Sequence, residues 1–127
     1  MARILLVEDN PHNQNLFLTA LRHYGHEVSL AEDGARALEM LVADPPELVL
    51  LDLSIPKIDG WTVARKVRAS EDPTVRDVPI LALTAHAMKG DKERALEAGC
   101  TAYLSKPVSP RELARQVAKM AGAAEAA

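Results

Sequence analysis

Cysteine is nearly missing: Cys100 stands alone among 127 residues, which excludes an internal disulfide and a cysteine-rich metal centre. Beside Gly99 it reads as a small buried residue. Long apolar runs are missing as well. Stretches such as Ile4–Val7 and Leu48–Leu51 fall far short of the roughly 20 residues that cross a bilayer, so no membrane segment is expected. The start, Met1-Ala2-Arg3, soon meets Glu8-Asp9 and lacks the longer apolar core and small-residue cleavage site of a secretory signal. A cytoplasmic location follows as the expectation. Positive charge is not in excess: 15 Lys+Arg against 18 Asp+Glu give a net charge of −3, which argues against DNA or RNA as partner. Serine- or glycine-rich linkers and internal repeats are absent too. The length fills one domain of the usual size, about 100–200 residues. With 48% hydrophobic and 26% charged residues, the chain has the apolar content to build a core.

What is present is an alternation of five short apolar segments with five longer ones of helical period, which predicts one α/β domain. Arg3–Val7, Leu48–Leu51 and Ile80–Leu83 are almost continuously apolar, as in parallel strands covered on both faces. Glu27-Val28-Ser29-Leu30 alternates and Ala102-Tyr103-Leu104 is short, so these two suit the sheet edges. Asn10 should cap the first helix with Pro11 behind it. Its expected core stripe is Leu16, Phe17, Ala20, Leu21 and Tyr24, and Gly25 stops it. The second helix, near Gly34–Ala43, should bury Leu38, Leu41 and Val42, and the third, near Trp61–Ala69, Val63 and Val67. A fourth helix near Lys89–Ala98 has a thin stripe of Ala95, Leu96 and Ala98, which marks it as the most mobile element. Ser109 and Glu112 form a capping box for the last helix, whose buried face is Leu113, Val117 and Met120. Right-handed crossovers then predict a flavodoxin-like, doubly wound, five-stranded parallel sheet in order 2-1-3-4-5 with five helices. The domain should occupy 1–121, and the alanine-rich residues 122–127 should fray.

Parallel strands put all their carboxyl ends on one edge. Glu8-Asp9 follows the first strand, Asp52 the third, Thr84 the fourth and Lys106-Pro107 the fifth, so these residues converge although they are scattered along the chain. Three carboxylates in one place repel. Two unit charges about 4 Å apart interact by about 4 kcal/mol at an effective dielectric near 20, so the cluster needs a cation or raised pKa values. Oxygen-only ligands suit Mg2+ rather than zinc. Lys106 offers a point charge and Thr84 a hydroxyl to a phosphoryl oxygen, which leaves Asp52 as the nucleophile.

Four pieces carry a family resemblance: Ile4-Leu5-Leu6-Val7-Glu8-Asp9-Asn10, Asp52-Leu53-Ser54-Ile55-Pro56-Lys57-Ile58-Asp59-Gly60, Leu83-Thr84-Ala85 and Tyr103-Leu104-Ser105-Lys106-Pro107. Over essentially its whole length the sequence resembles a response-regulator receiver domain. Thr84-Ala85-His86-Ala87-Met88-Lys89-Gly90-Asp91 further resembles stand-alone cell-cycle and phosphorelay regulators and the receivers of hybrid kinases. The resemblance implies that Asp52 accepts a phosphoryl group from a partner's phosphohistidine, supplied by a histidine kinase or a histidine phosphotransfer protein. It implies that Glu8, Asp9, Asp52 and the backbone carbonyl of Ser54 organise Mg2+. Thr84 and Lys106 would bind phosphoryl oxygens, Thr84 and Tyr103 would form the switch, and the Lys106-Pro107 bond would be cis. Ile55 departs from the methionine that commonly precedes Pro56.

The expected molecule is a phosphorylation-operated switch without an output domain, a monomer or weak dimer that binds a downstream protein target or passes phosphate onward. It would catalyse its own phosphotransfer and a slow self-dephosphorylation sensitive to Ser54 and His86. His12, His23 and His26 read as solvated. Two alternatives make weaker fits. A haloacid-dehalogenase-type phosphohydrolase wants a second Asp where Ser54 stands. A flavodoxin-like flavin binder wants a hydroxyl- and glycine-rich loop where Glu8-Asp9-Asn10-Pro11 stands.

Overall fold

A computed structural model describes residues 2–55, 57–84, 90–106 and 108–126. His86 and the Lys106-Pro107 bond, both singled out above, lie outside them. In chain order the elements are β1 (Arg3–Val7), α1 (Pro11–His23), β2 (Glu27–Ala31), α2 (Gly34–Ala43), β3 (Leu48–Asp52), α3 (Gly60–Arg68), α4 (Pro73–Arg76), β4 (Ile80–Thr84), α5 (Asp91–Ala98), β5 (Ala102–Ser105) and α6 (Pro110–Ala126). All strand pairs are parallel, in the order β2-β1-β3-β4-β5. This is the expected sheet. Every residue of β3 and β4 is buried, whereas β2 alternates exposed with buried and β5 is half-buried. The two short or alternating segments are therefore the edges.

Side chains alternate along each strand, so each strand divides its residues between two cores. Leu5, Val7, Val49, Leu51, Ile80 and Ala82 face α2, α3, α4 and α5. Ile4, Leu6, Leu48, Leu50, Leu81 and Leu83 face α1 and α6, where they meet Phe17, Leu21, Leu113 and Val117. Leu50 has no solvent exposure, and truncating such a residue to Ala costs about 2–5 kcal/mol.

The helices start where the sequence directs. Asn10 Oδ1 accepts the Asn13 N–H at 3.1 Å, with Pro11 in the first turn, and Gly25 takes the left-handed conformation at φ 87° beyond α1. Gly34 opens α2 against the β3–α3 loop so tightly that a Cβ there would sit 2.0 Å from the Ile58 carbonyl oxygen. Half of the capping box is formed: the Glu112 N–H donates to Ser109 Oγ at 3.0 Å. The Glu112 carboxylate instead pairs with Arg115.

Several expectations are corrected. Among the described residues there are six helices rather than five. The extra one, α4, is a single turn begun by Asp72, whose side chain accepts the Thr74 N–H at 2.9 Å, followed by Pro73. Leu16, Tyr24, Val42 and Leu96 are exposed, because each helix lies on the sheet through a stripe narrower than its apolar residues suggest. In α2 that stripe is Gly34, Ala37 and Leu41. His26 is buried rather than solvated, and its Nδ1 accepts the Ala2 N–H at 3.0 Å. Arg68, at the end of α3, reaches the carbonyls of Gly99 at 2.8 Å and of Arg76 and Val78 at 2.6 Å each. One guanidinium thus ties α3 to the segments on either side of β4. Cys100 is buried as expected, and burial pushes its thiol up to about 11.

Candidate functional site

Strand alternation decides which side chains can meet. Glu8 continues the Ile4 and Leu6 face of β1, Asp52 the Leu48 and Leu50 face of β3, and Lys106 the Ala102 and Leu104 face of β5. All three therefore turn to the same side at the carboxyl edge. The Lys106 ammonium lies 3.0 Å from Glu8 Oε1 and 3.1 Å from Asp52 Oδ2, although the partners are 98 and 54 residues away in sequence. Glu8 is fully buried and Asp52 is 3% exposed, so this is a desolvated charge cluster and not a surface ion pair.

The remaining polar atoms of Glu8 are also engaged. Its Oε2 accepts the backbone N–H groups of Asp9 at 3.0 Å and Asn10 at 3.4 Å. Its own N–H donates to the Ala31 carbonyl at 3.0 Å, and its carbonyl accepts Gln14 Nε2 at 2.8 Å. Burial pushes the Glu8 carboxyl up to about 7, the neighbouring Asp52 adds to the rise, and Lys106 offsets part of it. Burial alone would pull Lys106 down, but its hydrogen bonds and charge attraction to Glu8 and Asp52 win and hold its pKa above the ordinary lysine value.

Asp9 is exposed and completes the acid group: one oxygen from each of Glu8, Asp9 and Asp52 lies within 4.8 Å of the others. Three hard oxygen donors with one member already pushed toward neutrality are a set that a small divalent cation fits. Among the described residues the sequence-derived site residues separate into two groups. Glu8, Asp9, Asp52 and Lys106 come together. Thr84 and Tyr103 sit on the opposite face of the sheet edge, continuing the Ile80 and Ala82 alternation. Thr84 is buried, and Tyr103, opposite Ala82 in the register, is half-buried against the core under α2, α3 and α5.

Ser54 is exposed, and its contact with the site is through its backbone N–H, which donates to Asp52 Oδ1 at 2.9 Å. Beyond it, Lys57 takes a left-handed φ of 68° and reaches Asp33 Oδ2 at 3.3 Å. The loop after the nucleophile candidate is thereby held to the start of α2. Gln14 was missed from sequence, where nothing distinguishes it from a solvated helix residue.

A family model described as "Response regulator receiver domain" matches residues 4–118. The chain belongs to that family. The receiver is 38% identical over 106 residues to the polar-differentiation response regulator DivK of Brucella anthropi, covering 84% of this chain and 85% of DivK. The receiver domain of the sensor histidine kinase PA1611 of Pseudomonas aeruginosa, solved with a magnesium ion coordinated in its active-site cleft, superposes with a TM-score of 0.87. That pair shares 41% identity over 95% of this chain and 98% of the other. The chemotaxis response regulator CheY4 of Vibrio cholerae gives a TM-score of 0.86 at 27% identity, over 94% and 98% of the two chains. The chain is thus a receiver of two-component signalling, a class whose members act with a kinase or phosphotransfer partner. Membership sets aside the hydrolase and flavin-binder alternatives. Among the described residues no helix is long and apolar enough to cross a membrane.

Proposed function

We propose that Asp52 is the phosphoacceptor of this receiver, and that phosphorylation switches its interactions with a downstream protein or passes the phosphoryl group onward. The observation that carries the reading is the buried Asp52 carboxylate held at 3.1 Å by Lys106, beside Glu8 and Asp9. In the transfer step an Asp52 carboxylate oxygen attacks the phosphorus of a partner's phosphohistidine. The new P–O bond forms as the P–N bond breaks, and the imidazole nitrogen leaves with the electron pair and is then protonated.

Glu8, Asp9, Asp52 and the Ser54 carbonyl would hold Mg2+, which when bound neutralises the acids and the phosphoryl oxygens. Lys106 would exchange its bond to Asp52 for one to a phosphoryl oxygen, and the Thr84 hydroxyl would donate to another. Drawing Thr84 toward the phosphoryl group alters the packing at the β4–β5 edge, where Tyr103 is half-buried, and this would link the chemistry to a partner surface over α5, β5 and α6. Attack of water on phosphorus would return Asp52 and release phosphate. A domain limit near residue 121, a cytoplasmic setting and a monomeric or weakly dimeric state complete the proposal.

Beryllofluoride, which stands in for the phosphoryl group, tests the reading. Binding should require Mg2+, be abolished in Asp52→Ala, and shift backbone amides from the site as far as β5. Equal binding in a chelator, or in Asp52→Ala, would overturn it.

A further inference from the structure

The Glu8–Asp9 peptide is fixed at both ends. Its carbonyl accepts Gln14 Nε2 at 2.8 Å, while its N–H, belonging to Asp9, donates to Glu8 Oε2 at 3.0 Å. Gln14 is itself anchored, because its backbone N–H donates to the Asn10 carbonyl at 2.9 Å in the first turn of α1. The β1–β2 ladder reaches its limit here, with the Glu8 N–H on Ala31. Beyond that bond the peptide is oriented by side chains, and the fully buried Glu8 cannot rely on water to replace them.

A peptide plane turns as one body. If its carbonyl loses its donor, its N–H is no longer aimed at Glu8 Oε2, and the carboxylates on either side of it, those of Glu8 and Asp9, shift together. From this geometry we infer that Gln14 is a positioning residue for the acid pair: by fixing the peptide between Glu8 and Asp9, it sets how tightly the cluster grips a divalent cation. The inference rests on the magnesium reading above. A partner that orients metal ligands without touching the ion typically changes affinity by about 10–100-fold when removed.

The probe is Mg2+ alone, titrated calorimetrically into the full chain. Gln14→Met keeps the length and removes the donor, and it should bind Mg2+ about tenfold more weakly than wild type. The Asp9 and Asn10 amide proton resonances should move upfield as their bonds to Glu8 loosen. Gln14→Asn, whose amide is one methylene short of the Glu8 carbonyl, should fall between the two, and it carries the test if Gln14→Met does not fold. A purely structural role would lower the unfolding midpoint of the metal-free protein while leaving Mg2+ affinity and both amide resonances unchanged, which would overturn the inference. Asp9→Asn separates the two levels. If it loses Mg2+ binding while both Gln14 variants bind like wild type, the role of Gln14 fails alone. If wild type does not bind Mg2+, or Asp9→Asn binds as tightly as wild type, the magnesium reading fails and this inference with it.

Discussion

Replacing Lys106 by methionine keeps most of its aliphatic stem and removes the ammonium that bridges Glu8 at 3.0 Å and Asp52 at 3.1 Å. Burial pushes the Glu8 carboxyl up to about 7, from the 4.5 of a solvated glutamate. A carboxyl whose folded pKa lies above its unfolded value contributes stability that is fully present below about 4.5 and is lost as pH rises through about 7. Each pKa unit corresponds to about 1.4 kcal/mol. Without Lys106 the cation that lets Glu8 ionise is gone, so Glu8 stays protonated to higher pH.

Between about pH 5 and 6.5 both proteins hold Glu8 protonated when folded, and their stabilities fall in parallel. Above about 7 the wild type has ionised Glu8 and levels off, whereas Lys106→Met keeps losing about 1.4 kcal/mol per pH unit. The gap between the two should therefore be flat near pH 6 and wider by roughly 1–1.5 kcal/mol at pH 8. Urea unfolding with a chelator present, followed by the fluorescence of the single tryptophan, Trp61, measures it. Taking the difference removes the other titrating groups and the constant loss of packing. A gap that stays constant or narrows up to pH 8 would refute the assignment of Lys106 as the charge that ionises Glu8.

Two further perturbations probe the frame that holds the site. Arg68→Lys leaves one ammonium to serve carbonyls of Gly99, Arg76 and Val78, and should cost about 2–3 kcal/mol in urea unfolding; a loss under about 0.5 kcal/mol would show that the strut is dispensable. Gly34→Ala puts a Cβ 2.0 Å from the Ile58 oxygen, so α2 or the β3–α3 loop must move. A cost of about 1–3 kcal/mol is expected, with amide shifts in residues 53–59, and an unchanged spectrum there would contradict the close packing.

Much of this was legible in the sequence because two periodicities carry it. The unbroken apolar runs of β3 and β4 and the polar interruptions of β2 sorted centre from edge. Once the strands were parallel, Glu8, Asp52 and Lys106 had to share one edge. What escaped notice depends on three-dimensional neighbours. Val42 and Leu16 are as apolar as Leu41 and Phe17, and periodicity cannot say how wide a stripe the sheet covers. His26 is buried by the N-terminal segment, which is distant in sequence. Arg68 and Gln14 bond to backbone carbonyls, which every residue carries and no motif records. The α4 turn did leave a signal: Asp72-Pro73 repeats the cap-and-proline arrangement of Asn10-Pro11, but with no apolar stripe behind it.

Asp52 is the residue proposed to carry the phosphoryl group. Incubating the receiver with a small acyl-phosphate donor and Mg2+, reducing the product with borohydride and mapping it by peptide mass spectrometry tests this most directly, because reduction converts an aspartyl phosphate to homoserine. One converted residue is expected, at position 52, and none in Asp52→Ala. Conversion at another acid, or undiminished phosphate uptake by Asp52→Ala, would contradict it.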